Sequence, residues 1–461
     1  MKGGLLQPTV ICRPRAIRGA LAFLGVALAL AFCAAERSFA VQDFPLPTGD
    51  AGLSDANQGP TFGNKGIISW GGQLVFTEED ANQLGFAKTN GEISEVAMPS
   101  QVGSPEYGPF ALSTNGGDDL WMISAGAPLE GRVTRFNLDA GLTYWNLGYT
   151  RVVSVAADPQ GGAWVTNQYG EGISYFDSDN NEHFFDSPDY TDPAPVTVAG
   201  DGAAWFGDGS STIKRITKTG NLQNFHASGD GDIVSLTEGP DGAVWYAKFN
   251  PGSGWLGPPA SGGIIGRLSL GGSPKVFKTP MENMTPSSLV TGGDGALWFT
   301  TRLGEGIGRL TTSGKYSFAS LPGGRHADSI AFGPDGAIWY TDAELNRIGR
   351  MTVAEFNQAN KPRKPVILSR SLKAKRKRFT KVKIGCPAGP APCRGKIEIR
   401  FRGKLIARGS YQMPVGKKSA GAASFNRLGR KLLARSRALK VAVVLKPGNA
   451  GKVSRRMKLR R

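Results

Sequence analysis

The sequence predicts an all-β chain: a seven-bladed β-propeller of four-stranded blades, followed by a small basic β-rich domain. Three observations predict it. First, a phrase recurs: Asp-Gly-Ala, an aliphatic residue, Trp, an aromatic residue, then Ile-Gly-Arg about ten residues later. Its clearest copies are Gly333–Tyr340 with Ile348-Gly349-Arg350, and Gly293–Phe299 with Ile307-Gly308-Arg309. Second, the period is that of propeller repeats. Counting from Val75 through Trp121, Trp164, Trp205, Trp245, Trp298 and Trp339, the spacings are 46, 43, 41, 40, 53 and 41 residues. Four short strands per blade need roughly 40–45. Third, charge divides the chain. Residues 41–361 hold 19 Lys and Arg against 35 Asp and Glu, whereas residues 362–461 hold 31 against Glu398 alone.

Each unit reads the same way. An apolar strand such as Ser288-Leu289-Val290 meets a Gly-Asp-Gly turn and then the Trp strand. A variable loop leads to the Ile-Gly-Arg strand, and a Ser-Gly or Thr-Gly turn to a last strand ending near Leu-Pro. Gly- and Asp-rich turns between short apolar runs are hairpin signals. The last unit lacks its fourth strand after Arg350, while Val41–Pro47 matches that strand in pattern. The N-terminal segment is therefore expected to pair into the last blade and close the ring, which hides both sheet edges. The repeated Trp residues are expected as core wedges between blades.

Residues 1–40 read as a secretory signal. Arg13, Arg15 and Arg18 precede an apolar run from Ala20 to Ala35, and Ser38-Phe39-Ala40 fits a cleavage site. The protein is thus expected to be secreted or associated with the cell envelope. In that compartment Cys386 and Cys393 are expected to form a disulfide. Residues 362–380 read as a basic, solvated linker. Residues 381–461 read as a β-rich, sandwich-like domain, with a strand at Leu439–Leu445 and a helical stretch near Leu428. The tail's charge suits an anionic cell-envelope polymer, lipid headgroups or the acidic propeller itself. An anionic envelope polymer is preferred. Nucleic acid is disfavoured, because export and the scarcity of stacking aromatics argue against it. A monomer is expected.

The units at 333–342 and 348–352 resemble the repeat of the streptogramin B lyase family, over about residues 41–352. The resemblance implies a seven-bladed propeller. It also implies an elimination that linearises a cyclic depsipeptide, using Mg²⁺ and a general base. The family places its catalytic histidines in Pro-His-(Ala/Gly)-Ile segments opening the inner strands of two late blades. Here those places read Thr285-Pro286-Ser287-Ser288-Leu289 and His326-Ala327-Asp328-Ser329-Ile330. Ser287 and Asp328 stand where histidines are expected, and His326 stands where a metal-binding Glu is expected. Asp342 or Glu344 stands in place of a second metal-binding Glu.

Chain order gathers one set of loops on one face of the ring. The candidates for chemistry there are His326 and Asp328 as catalytic groups, and Asp342 and Glu344 as oxygen ligands for Mg²⁺ or Ca²⁺. Tyr107, Tyr169, Trp255 and Arg325 are candidates for gripping a small-molecule or peptide ligand. Trp255 lies in the Gly/Pro-rich insertion 251–263 that lengthens one unit. His183 and His226 fall in outer-strand context. Three readings stay open: a ligand-binding propeller without intact lyase chemistry, a lyase with a rearranged site around His326, and a metal-dependent lactonase-like hydrolase. The first is preferred, because the matching histidine pair is missing.

Overall fold

A computed structural model gives the fold. Within residues 41–461 it describes all but 50, 54–64, 99–107, 127–129, 148–150, 169–171, 187–194, 209–210, 230, 250–262, 281–283, 303–305, 322–323, 361–363, 377, 387–392, 414–416 and 448–450. The signal segment 1–40 lies outside the described residues.

Seven antiparallel four-stranded sheets form the propeller. Their inner strands are 67–70, 109–113, 151–157, 196–198, 232–238, 286–291 and 330–332. Each packs against the next, and the last against the first, so the ring is closed. The seventh blade takes Gln42–Pro45 as its outermost strand, paired antiparallel with Arg347–Arg350. Phe44 stacks on Trp339 at 5.4 Å between centroids. Phe225 and Phe277 do the same on Trp205 and Trp245, at 5.1 and 5.3 Å, from the fourth strands of their own blades. The N-terminal strand therefore replaces the missing strand in packing as well as in hydrogen bonding.

The recurring phrase is a packing unit at the rim opposite the variable loops. The turn Asp accepts from the Trp indole and from the Arg guanidinium together. Asp335 does so with Trp339 at 3.2 Å and Arg350 at 2.8 Å. Asp294 pairs in the same way with Trp298 and Arg309, at 2.9 and 2.7 Å. Asp241 serves Trp245 and Arg267, and Asp201 serves Trp205 and Arg215. The Arg also lies over the Trp ring, 5.7 Å away for Arg350 on Trp339. Gly336 turns at φ +68°, which favours glycine. A Cβ at Gly349 would sit 2.1 Å from the Tyr340 ring, so the aromatic after Trp requires the Gly of Ile-Gly-Arg.

Blades two and three depart from this unit. Gly117 and Gln160 stand where the Asp belongs. The indole nitrogens of Trp121 and Trp164 are buried without a hydrogen-bond partner. Arg135 turns instead to Asp119, and Tyr175 donates to Asp158 at 2.8 Å.

After the seventh blade comes helix Val353–Ala359, capped by Thr352 and Glu355 in a reciprocal pair. Phe356 meets Trp298 edge-on at 4.4 Å, and Asn360 accepts from the Phe318 amide at 2.9 Å. The C-terminal domain is a closed barrel and not a sandwich. Strand 379–385 lies beside 371–375, and 371–375 runs parallel to 453–460. The circuit continues through 438–447, 393–401, 404–413 and 418–425, and 418–425 pairs back onto 379–385. The proposed linker 362–380 is corrected by this closure, because 371–375 is a barrel stave. Its pattern explains why: Leu372 and Ala374 are buried while Ser371, Lys373 and Lys375 are exposed, a period of two. Charge density concealed that alternation. Helix Arg427–Arg435 and strand 438–447 form where the helical and strand patterns lie. Cys386 and Cys393 are joined by a disulfide, with Cα atoms 5.6 Å apart.

Candidate functional site

The variable loops share one rim, the mouth. Two rungs of equivalent positions define it. The first closes each Trp strand, two residues beyond the aromatic that follows Trp. In chain order it holds Glu78, Ser124, Asn167, Asp208, Lys248, Thr301 and Asp342, from the strand registers. All seven are polar and all are buried. The second rung opens the inner strands and holds Lys65, Phe110, Val153, Val234, Ser287 and Asp328 among the described residues. In blades two, three, five and six a β-bulge interrupts the ladder at this level. Bulges of this kind re-aim side chains beside functional sites. Next to this rung Ser154, Ser235 and Ser329 each accept, through Oγ, from the inner strand of the following blade, at 3.3, 3.1 and 3.0 Å. These contacts fix the blades against one another at the mouth.

Blade seven gathers five of the expected site residues. His326 Nε2 lies 3.0 Å from Glu344 Oε2, and both side chains reach solvent. Asp328 is buried, and its Oδ2 accepts from the Ala343 amide at 2.7 Å. Asp342 is fully buried. Its Oδ2 accepts from Arg347 Nε and Nη2 at 2.9 and 2.7 Å, and from the His326 amide at 3.3 Å. Arg347 and Arg325 both grip Asp43 on the N-terminal strand, Arg325 at 2.6 Å through Nη2. Arg325, expected to hold ligand, pairs with Asp43 where the N-terminal strand closes the ring. Tyr107, Tyr169 and Trp255 lie outside the described residues. His183 and His226 sit on the outermost strands of their blades, and His183 pairs with Asp177 at 2.8 Å.

Mg²⁺ and Ca²⁺ need several free carboxylate or carbonyl oxygens. Asp342 is engaged by a guanidinium, Asp328 by an amide and Glu344 by an imidazole. Among the described residues no three His, Cys, Asp or Glu side chains gather as a metal site would. The donor set at blade seven does not fit a divalent cation.

Two groups at the mouth are conspicuous for their chemistry. Burial pushes the Glu78 carboxyl up to about 7, against the hydrogen bond from Gln83, with Glu95 adding to the rise. Its Oε1 is buried without a partner. Burial also lowers the Lys65 amine, which stands on the rung of Ser287 and Asp328 one blade further round. Lys248, by contrast, donates to Ser211, Ala227 and Gly229, and is a structural cation. Sequence reasoning missed Lys65. Aligning Asn64-Lys65-Gly66-Ile67 with Ala327-Asp328-Ser329-Ile330 finds it, since Gly66 and Ser329 hold the same ladder position. A cleft of about 310 Å³ lies between blades two and three, lined by Asn146, Asn167, Glu182 and Phe184 among others, and reaches the mouth at Asn167.

The sequence profile of the virginiamycin B lyase family matches residues 50–249 and 148–355. A solved streptogramin B lyase structure is 25% identical, with TM-score 0.55, covering 68% of this chain and 96% of that one. Virginiamycin B lyase from Staphylococcus aureus is 23% identical, with TM-score 0.56, covering 68% of this chain and 99% of that one. A catalytically inactive histidine-to-alanine variant of the S. aureus enzyme, solved with quinupristin, is 23% identical with TM-score 0.54 and the same coverage. Comparison with curated proteins returns no match. On the profile match, which spans both the repeat and the mouth, the chain belongs to the virginiamycin B lyase family.

Proposed function

We propose that this propeller is a ligand-binding member of its family that lacks the family's histidine-dependent elimination, and that it is exported and held at the envelope by its basic barrel. The observation that carries the first part is the pair Ser287 and Asp328 at the expected histidine places. Asp328 is buried and bonded to the Ala343 amide, so it caps a turn. A serine hydroxyl is itself a far weaker base than the imidazole it stands in for. The relative that is inactive without one histidine fits this reading, because this chain has neither histidine of the pair.

Support for the second part is the division of charge, acidic in the ring and basic in the barrel, with the signal-like residues 1–40. The test of ligand binding is hydrogen–deuterium exchange with and without a streptogramin B depsipeptide. Protection at 285–289, 326–330 and 341–345, with the depsipeptide recovered unchanged, is the expected result. Protection nowhere on the mouth would remove the depsipeptide class as ligand.

One observation favours a second reading, a lyase with a displaced site. The His326–Glu344 pair reaches solvent beside Asp328 and can accept a proton. Turnover lost in His326→Ala would establish it.

A further inference from the structure

The barrel's cations are unevenly placed, and their register singles out one face. Strand 453–460 presents Arg456, Lys458 and Arg460 outward, alternating with buried Met457 and Leu459. Alternate residues on a strand are roughly 6.6 Å apart. Lys458 lies directly opposite Lys440, and Arg460 opposite Lys373 on the parallel neighbour. Among the described residues none of these five cations joins an ion pair. The domain's one acidic side chain, Glu398, pairs with Arg400 on its own strand and with Lys446, which shares strand 438–447 with Lys440. Like charges directly opposite destabilise a sheet. Elsewhere the opposition is absent or neutralised: Lys381 and Lys383 on strand 379–385 face Ala422 and Ala420, and where Lys396 faces Lys446, Glu398 pairs with Lys446.

We infer that the face built from Lys373, Lys440, Arg456, Lys458 and Arg460 is a docking track for an extended phosphodiester polymer of the poly(glycerol phosphate) type. The inference rests on the reading of the barrel as an anchor to an anionic polymer, and gives that reading a site. A straight row of cations at even intervals suits a flexible chain with a phosphate every few bonds. Nucleic acid is disfavoured on this face, because it offers no exposed aromatic ring for a base to stack on. Phe425 and Tyr411 are buried, and Phe379 and Phe401 are partly so.

The experiment measures binding of the full chain to poly(glycerol phosphate) across a salt series. Neutralising one phosphate contact lowers the slope of log K against log salt by roughly 0.7 for a single strand. The triple variant Lys440→Gln, Lys458→Gln, Arg460→Gln is expected to lower the slope by about 2. The triple variant Lys404→Gln, Arg408→Gln, Lys418→Gln removes the same charge from strands 404–413 and 418–425, across the barrel from 453–460, and is expected to leave the slope nearly unchanged. Equal losses in both variants would overturn the track while leaving a diffuse anchor intact. No binding by the unaltered chain would overturn both. Tighter binding to single-stranded DNA than to poly(glycerol phosphate) would overturn the polymer class.

Discussion

The two rims of the propeller are made by the same strands, yet one repeats and the other does not. At the far rim Asp201, Asp241, Asp294 and Asp335 hold a Trp and an Arg in one geometry, blade after blade. At the mouth the seven equivalent positions are Glu78, Ser124, Asn167, Asp208, Lys248, Thr301 and Asp342, a different residue in nearly every blade. The far rim answers one physical demand, the burial of an indole with its N–H satisfied. The mouth answers a different local demand in each blade.

The largest expected effect breaks the mouth at its tightest point. Asp342→Ala leaves Arg347 without its buried partner and loosens the N-terminal strand through Asp43. A loss of about 3–5 kcal/mol in chemical denaturation is predicted. Next, the rims are expected to titrate in opposite directions. Glu78 binds its proton more tightly folded than unfolded, so its contribution improves as pH falls through about 7 and is unfavourable above that. Glu78→Gln should therefore stabilise by on the order of 2 kcal/mol at pH 8 and little at pH 5.

At the far rim burial alone would raise the Asp335 carboxyl, but Arg350, Ala337 and Trp339 together hold it below its ordinary value. That contribution is present above the unfolded pKa near 4 and is lost as pH falls through the lower folded value. Asp335→Ala should cost about 1–2 kcal/mol at pH 7, and nearly as much as Asp294→Ala if the unit truly repeats. The smallest effect is a repair. Gln160→Asp restores the acceptor that Trp164 lacks, and a gain of about 0.5–1 kcal/mol in thermal unfolding is expected. A loss would show that the Lys218–Gln160 contact matters more than the orphaned indole.

Much of the far rim was legible in the sequence, because one physical demand writes the same Asp, Trp and Arg in blades four to seven, with visible lapses at Gly117 and Gln160. Ring closure was legible too, through the strand that blade seven lacks. The barrel was partly hidden. Lys373 and Lys375 read as linker because their charge masked the buried Leu372 and Ala374 between them. The mouth was least legible. Asp342 and Arg325 are ordinary loop charges in the sequence, and only the fold brings Arg347 and Asp43 between them. Lys65 carries no motif, since its position has meaning only through the register of blade one.

The most direct test is mass spectrometry of a streptogramin B depsipeptide incubated with the full chain and Mg²⁺, beside His326→Ala. The account predicts an intact cyclic depsipeptide in both samples. A linear product of unchanged mass with a new double bond, present with the unaltered chain and absent with His326→Ala, would contradict it. That result would place a working base at the mouth without the family's histidine pair.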